Sequence, residues 1–176
     1  DRINRMVGNI LNLSRLEADA WKPDLESSSL AEIIGSALAS FSADDNKRIT
    51  VRLPRDLAEV TVDPVQIEQV IKNLIENALK YSDEESLVEI SVSPLDQEVV
   101  LSVLDRGIGV SPEDASRIFD RFYRNPRLKE TATPGVGIGL AICKALVEAH
   151  RGSLTMTPRV GGGSVFEVKL PIEKKS

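Results

Sequence analysis

At 176 residues with 41% apolar content, the chain has the length and composition for one cored domain plus an appendage, which excludes a disordered segment. A formal net charge of -5 with 28% charged residues excludes a nucleic-acid surface on bulk electrostatics, so any anionic ligand must be held by local groups. One cysteine, Cys143, excludes an internal disulfide or a cysteine zinc cluster, and no run of about 18 apolar residues offers a membrane span; a soluble piece in a reducing cytoplasm is expected.

The chain opens with Asp1 inside a helical pattern, which suggests a fragment of something longer. Ile3, Met6, Val7, Ile10, Leu13 and Leu16 recur in alternating three- and four-residue steps, the narrow seam of a helix bundle or coiled coil. A helix of roughly 20 residues cannot cover such a seam alone, so a partner helix upstream is expected. Asp19-Ala20-Trp21-Lys22-Pro23 ends it, because the residue before a proline is pushed out of the helical region. Ser29-Leu30-Ala31-Glu32 is a capping box for a helix running through Ile33, Ile34, Ala37, Leu38 and Phe41, and residues 49 to 53 follow as a short strand.

Asp63-Pro64-Val65-Gln66 combines an N-cap, a proline at the first helical position and an amide three residues past the cap, so a helix starts there. Ile67, Val70, Ile71, Leu74, Ile75 and Ala78 form its buried stripe. At roughly 100° per residue, Asn73, Asn77 and Lys80 gather on the opposite side. Taken alone, that face is equally a solvated surface or a ligand platform.

Residues 87 to 92 and 99 to 104 read as an antiparallel hairpin turning through Pro94 and Asp96. The second strand runs directly into the turn Asp105-Arg106-Gly107-Ile108-Gly109. Ser111-Pro112-Glu113-Asp114 caps a short helix to about Phe119. From Arg121 to Pro134 the chain is basic and aperiodic, a mobile loop carrying Arg121, Arg124, Arg127 and Lys129. A second glycine turn, Gly135-Val136-Gly137-Ile138-Gly139-Leu140, enters a helix ending near His150, and residues 154 to 157 and 165 to 170 form two last strands around Gly161-Gly162-Gly163. Interleaved helices and mostly antiparallel strands predict a two-layer α/β sandwich, helices on one face. Cys143 belongs to its apolar interior as an inert thiol, and His150, the only histidine, has a structural place where the helix dipole favours a cation.

The two glycine turns and the amide-bearing helix together suggest a phosphate ligand. Gly137 and Gly139 precede a helix without charge before Lys144, so first-turn N–H groups can meet an anion, although a tight loop entry would use the same residues. Asp105 at a strand end can accept from an exocyclic amine such as adenine's, or simply bond its own turn. Asn73 and Asn77 offer hard amide oxygens suited to Mg²⁺ when phosphate and water fill the other positions. Lys80 adds a point charge toward the phosphates, with Arg121 and Arg124 able to close over them.

These residues resemble the nucleotide-binding domain shared by sensor histidine kinases, DNA gyrase, Hsp90 chaperones and mismatch-repair ATPases. Residues 73 to 81 are similar to that family's N box, 105 to 109 to its first glycine box, Phe119-Asp120-Arg121-Phe122 to its F box, 135 to 139 to its second glycine box, and 161 to 166 to its terminal glycine segment. The resemblance implies a Bergerat-type fold over residues 24 to 172. It also implies ATP and Mg²⁺ as ligands, with Asn73 and Asn77 at the metal and Asn73, Asn77, Lys80, Arg121 and Arg124 serving catalysis. Nucleotide contacts are implied at Asn73, Asn77, Lys80, Tyr81, Asp105, Gly107, Gly109, Phe122, Gly135, Val136, Gly137, Ile138, Gly139, Leu140 and Ser164.

Hydrolysing relatives carry a glutamate as general base at the start of the N box, where this chain has Asn73, an amide that cannot take a proton at neutral pH. Glu76 falls some 60° away on the helix and is expected as a surface residue. Residues 1 to 20 resemble the second helix of a kinase dimerisation hairpin, whose phosphoacceptor histidine lies on the helix that precedes it. The run Thr133 to Cys143 looks most like the Kdp-type potassium sensors.

The resemblance therefore implies a protein-histidine kinase fragment that binds ATP without phosphorylating itself. Its partners would be the missing hairpin, in a homodimer at full length, and a response regulator. It would be the cytoplasmic domain of a bacterial inner-membrane protein that meets the membrane only through its absent part. An ATPase or chaperone, an anti-sigma serine kinase and a nucleotide-binding scaffold are the other readings these boxes admit.

Overall fold

A computed structural model describes residues 22–124 and 137–172. The N-terminal seam, Gly135 and Val136 lie outside the described residues. The elements run β1 (Glu26–Ser28), α1 (Leu30–Ala39), α2 (Ala43–Lys47), β2 (Ile49–Arg52), β3 (Val60–Val62), α3 (Pro64–Tyr81), β4 (Val88–Leu95), β5 (Glu98–Leu104), α4 (Gly139–Ala149), β6 (Ser153–Pro158) and β7 (Ser164–Pro171).

A five-stranded sheet has the order β2-β4-β5-β7-β6, with β2 parallel to β4 and every other pair antiparallel. The parallel pair needs a crossover, and α3 is the long element of that connection. Strand alternation sends Val88, Ile90 and Val92 of β4, Val99, Leu101 and Val103 of β5, and Phe166, Val168 and Leu170 of β7 into the core. The polar alternates Glu89, Ser91, Ser102 and Glu167 take the opposite face. Helices α1, α3 and α4 share the buried side, with α3 between the other two. The expected α/β sandwich with a mixed, mostly antiparallel sheet is therefore present.

Local signals explain the helix ends. Asp63 Oδ1 accepts from the N–H groups of Val65 and Gln66 at 3.1 Å each, and Ser29 Oγ accepts from Glu32 N at 3.4 Å. Between α1 and α3, Ser36 Oγ donates to Glu68 Oε2 at 2.7 Å, and Lys72 pairs with the same carboxylate.

Four features depart from the sequence reading. Pro94 lies within β4 opposite Val99, so the hairpin turns at Asp96 and Gln97 alone. β1 and β3 form a separate antiparallel pair, and α2 is a surface turn of helix with no buried residue. Neither carries an apolar period long enough to be read. Residues 112 to 119 form successive turns rather than a helix, with bonds from Asp114 N to Ser111 O (3.0 Å) and from Arg117 N to Asp114 O (2.8 Å). Only Ile118 there is fully buried, so packing does not demand a continuous helix.

His150 is structural, as expected, but not as a cation. It is 2% exposed, with Nδ1 2.7 Å from Leu146 O and Nε2 accepting from Asp63 N at 3.0 Å. A ring nitrogen facing a backbone N–H has to be unprotonated, so the side chain joins the end of α4 to the N-cap of α3 in its neutral form. Cys143 is fully buried, and burial pushes its thiol up to about 12, consistent with an inert core residue.

His150→Ala strands the Asp63 N–H and opens a cavity. We expect a loss of about 3 kcal/mol in urea-melt stability. A loss within about 0.5 kcal/mol, the range of an ordinary surface substitution, would remove His150 as the link.

Candidate functional site

β5 ends at Leu104, and Asp105 follows at 5% exposure. Its Oδ1 accepts from Gly107 N at 2.8 Å and from Ser164 N at 3.2 Å, while its own N–H donates to Ser164 O at 3.0 Å. These bonds leave Oδ2 for an outside donor. Burial raises the Asp105 carboxyl above its ordinary value, and the Gly107 and Ser164 hydrogen bonds and the nearby Arg159 charge pull it partly back.

The glycines at this point are required by close approach. A Cβ on Gly107 would lie 2.2 Å from Tyr81 O, the carbonyl that also accepts from Ile108 N at 3.2 Å. The first glycine turn is thus pressed onto the C-terminal end of α3. Gly163, at φ +98, would place a Cβ 2.1 Å from Asp105 O. Tyr81, residues 105 to 109, and Gly163 with Ser164 therefore meet at one corner.

The second glycine turn approaches from the other side. Phe122 N donates to Gly137 O at 2.9 Å, and Gly137, at φ +75, would put a Cβ 2.6 Å from Tyr123 O. Phe122 itself sits at φ +63 and 60% exposure, an unusual conformation for a bulky side chain. The N-cap of α4 is Ile138, with no side-chain cap hydrogen bond, so the cap residue itself does not answer the first-turn N–H groups. A Cβ on Gly139 would meet nothing within 4 Å, which leaves open space over that turn.

On α3 the polar residues divide. Asn77 is half-buried, and Lys80 is exposed with Nζ 5.0 Å from the centre of the Tyr81 ring. Asn73 is half-buried as well, near the Cys143 thiol of α4. Glu76 is exposed, as expected. Arg121 and Arg124 are exposed around Tyr123, whose hydroxyl donates to Asp114. Sequence reasoning missed Arg159 and Glu89, which brace Asp105, and the reach of Arg106 to the β6–β7 turn. No spacing joins partners 54 to 70 positions apart in the chain.

The model of the histidine kinase-, DNA gyrase B-, and HSP90-like ATPases matches residues 62–174, covering the corner just described. The chain belongs to this family. Among its relatives, the sensor protein KdpD of Escherichia coli K12 is 38% identical over 167 residues, 95% of this chain and 18% of that protein. The sensor-like histidine kinase SenX3 of Mycobacterium tuberculosis H37Rv is 36% identical over 174 residues, 97% of this chain and 42% of SenX3. The chain thus spans under half the length of either relative, and the KdpD match agrees with the Kdp-type resemblance. Full-length ShkA in complex with AMPPNP superimposes with a TM-score of 0.83 at 26% identity, covering 97% of this chain and 36% of ShkA. The catalytic domain of histidine kinase ThkA does so at 0.74 and 25%, covering 85% of this chain and 96% of that domain.

In this family member the buried Asp105 costs stability. Its folded-state pKa lies above the unfolded one, so the stability it contributes is present below the ordinary carboxyl range and is lost as pH rises through the raised value. Asp105→Asn keeps an oxygen for the two backbone donors and removes the buried charge. We expect this variant to be more stable than the parent at pH 7, with the difference shrinking as pH falls toward 4. Urea melts at both pH values check it, and a parent that gains relative stability with rising pH refutes it.

Proposed function

We propose that this chain is the ATP-binding catalytic domain of a two-component sensor histidine kinase. It would transfer the γ-phosphoryl of Mg-ATP to a histidine outside the fragment, for relay to an aspartate on a response regulator. The observation that carries the reading is the pair of residues that cannot act. His150, the chain's only histidine, is buried with both ring nitrogens occupied, and Asn73 offers no base for water. A nucleotide domain that neither accepts phosphate nor activates water suits a kinase waiting for a separate acceptor.

In this reading the adenine amine donates to Asp105 Oδ2, with Gly107, Gly109 and Ser164 shaping the base pocket beside Tyr81. The phosphates meet the uncapped first turn of α4 at Gly137, Ile138, Gly139 and Leu140, with Gly135 and Val136 on its approach. Lys80, Arg121 and Arg124 supply positive charge, and Phe122 flanks the phosphates. Amide oxygens suit Mg²⁺ when it arrives on ATP, with phosphate and water filling its other positions. Asn77, with Asn73 as the second amide, would give it oxygen, and the ion would neutralise charge developing on the phosphates. Such transfer rests on positioning and electrostatics, which amides, cations and backbone N–H groups can supply.

The same reading makes residues 1 to 20 half of a dimerisation hairpin and the full-length protein a homodimer. It also makes the fragment the cytoplasmic part of a bacterial inner-membrane sensor of the Kdp type. No helix among the described residues is long and apolar enough to cross a membrane, so any anchor would be elsewhere.

Two measurements test the reading. Incubated with labelled ATP and a separately supplied hairpin bearing the histidine, the chain should label histidine, with an acid-labile product. Label on a partner serine would instead select a serine kinase, and steady phosphate release from the chain alone, abolished by Asn77→Ala, an ATPase. By calorimetry, Asn77→Ala should lose at least tenfold in ATP affinity when Mg²⁺ is present and little when it is chelated; equal losses would remove Asn77 from the metal.

A further inference from the structure

Beneath the Asp105 corner, two arginines cross in opposite directions between the first glycine turn and the turn joining β6 to β7. Arg106 Nη1 donates to Val160 O at 2.8 Å and to Gly162 O at 3.3 Å. Arg159 Nη1 returns a hydrogen bond to Asp105 O at 3.3 Å, and its Nη2 pairs with the Glu89 carboxylate. The turn that carries Arg159 is closed by bonds from Arg159 N to Gly163 O and from Gly162 N to Arg159 O, each 3.0 Å.

Arg159 is the more deeply placed of the two. Its side chain is 11% exposed and that of Glu89 28%. Glu89 stands opposite Leu104 on the neighbouring strand, and Leu104 stands opposite Val165. The guanidinium therefore spans from the β6–β7 turn to β4, touching the residue just beyond the last ladder pair of β5 on its way. That residue is Asp105, whose N–H donates to Ser164 O and whose carbonyl accepts from Arg159. The Arg159 hydrogen bond also keeps the Glu89 carboxyl below the usual carboxylate range, as a pair formed in the native fold should.

We propose that the Arg159–Glu89 pair is a specificity device: by fixing Asp105 at its carbonyl, it holds the carboxylate where it recognises the exocyclic amine of adenine. Arg159 directs its guanidinium to the Asp105 carbonyl and the Glu89 carboxylate, so its part is that of a positioning residue. The inference rests on the nucleotide site argued above. It separates base recognition, which hangs on the Asp105 corner, from phosphate binding, which hangs on α4 and α3.

The test compares ATP with inosine triphosphate, whose base presents a carbonyl oxygen in place of the amine. Titrations of the 176-residue chain use the parent, Arg159→Met, Arg159→Lys and Asp105→Asn, with thermal melts confirming that each is folded. The parent should prefer ATP, and Asp105→Asn should abolish the preference. Arg159→Met, which keeps the apolar stem, should weaken ATP about tenfold and leave inosine triphosphate within about twofold, the size expected when one charge-assisted hydrogen bond is misplaced. Arg159→Lys, which keeps a cation able to reach one of the two oxygens, should recover part of the preference. An unchanged ATP preference in Arg159→Met, or an equal loss of both nucleotides, overturns the positioning role while leaving the site intact. A parent that binds both nucleotides equally overturns the adenine reading itself.

Discussion

Six apolar side chains on one face of α3, none more than 2% exposed, tie the rest of the domain together. Their burial between the sheet, α1 and α4 fixes where the helix ends, and both ends are then put to use. At the N-terminus, Asp63 caps the helix and meets His150 from α4. At the C-terminus, Tyr81 offers the carbonyl against which the first glycine turn is seated. Burial of this kind is worth roughly 1.5–3 kcal/mol per large aliphatic side chain. A shift of α3 would therefore cost packing and carry the Asp105 corner with it.

That corner is held against stability. A carboxylate at 5% exposure is costly to ionise, and the fold answers with backbone N–H groups, a nearby guanidinium and glycines that permit the approach. None of these donors takes Oδ2. The fold thus spends polar contacts to keep one oxygen ready for an outside donor. At α4 the logic is reversed: the first turn carries N–H groups and the cap residue Ile138 gives them no side-chain acceptor. A ligand with an amine at one end and an anion at the other complements both, and ATP has that form.

Much of this could be read from the chain because it is encoded locally. The Asp63-Pro64 start, the 3.6-residue stripe of α3, the hairpin alternation and the first glycine turn each depend on neighbours within a few residues, and all of these are present. What escaped depends on partners far apart. β1 pairs with β3 across more than 30 residues, Arg159 reaches Glu89 over 70, and His150 reaches Asp63 over 87. The run after Ser111 carried good cap residues and still did not form a helix, because capping without a buried face gives turns.

By itself the sequence determined the class of fold, the order of the nucleotide boxes and the presence of Asn73 where hydrolysing relatives hold a glutamate, since residue identity and short-range periodicity carry that information. Only the tertiary structure decided that His150 is a neutral link rather than a cation, and that Asp105 is braced by an arginine from the β6–β7 turn. Those outcomes depend on which groups burial brings within hydrogen-bond distance, and that is a property of the folded chain.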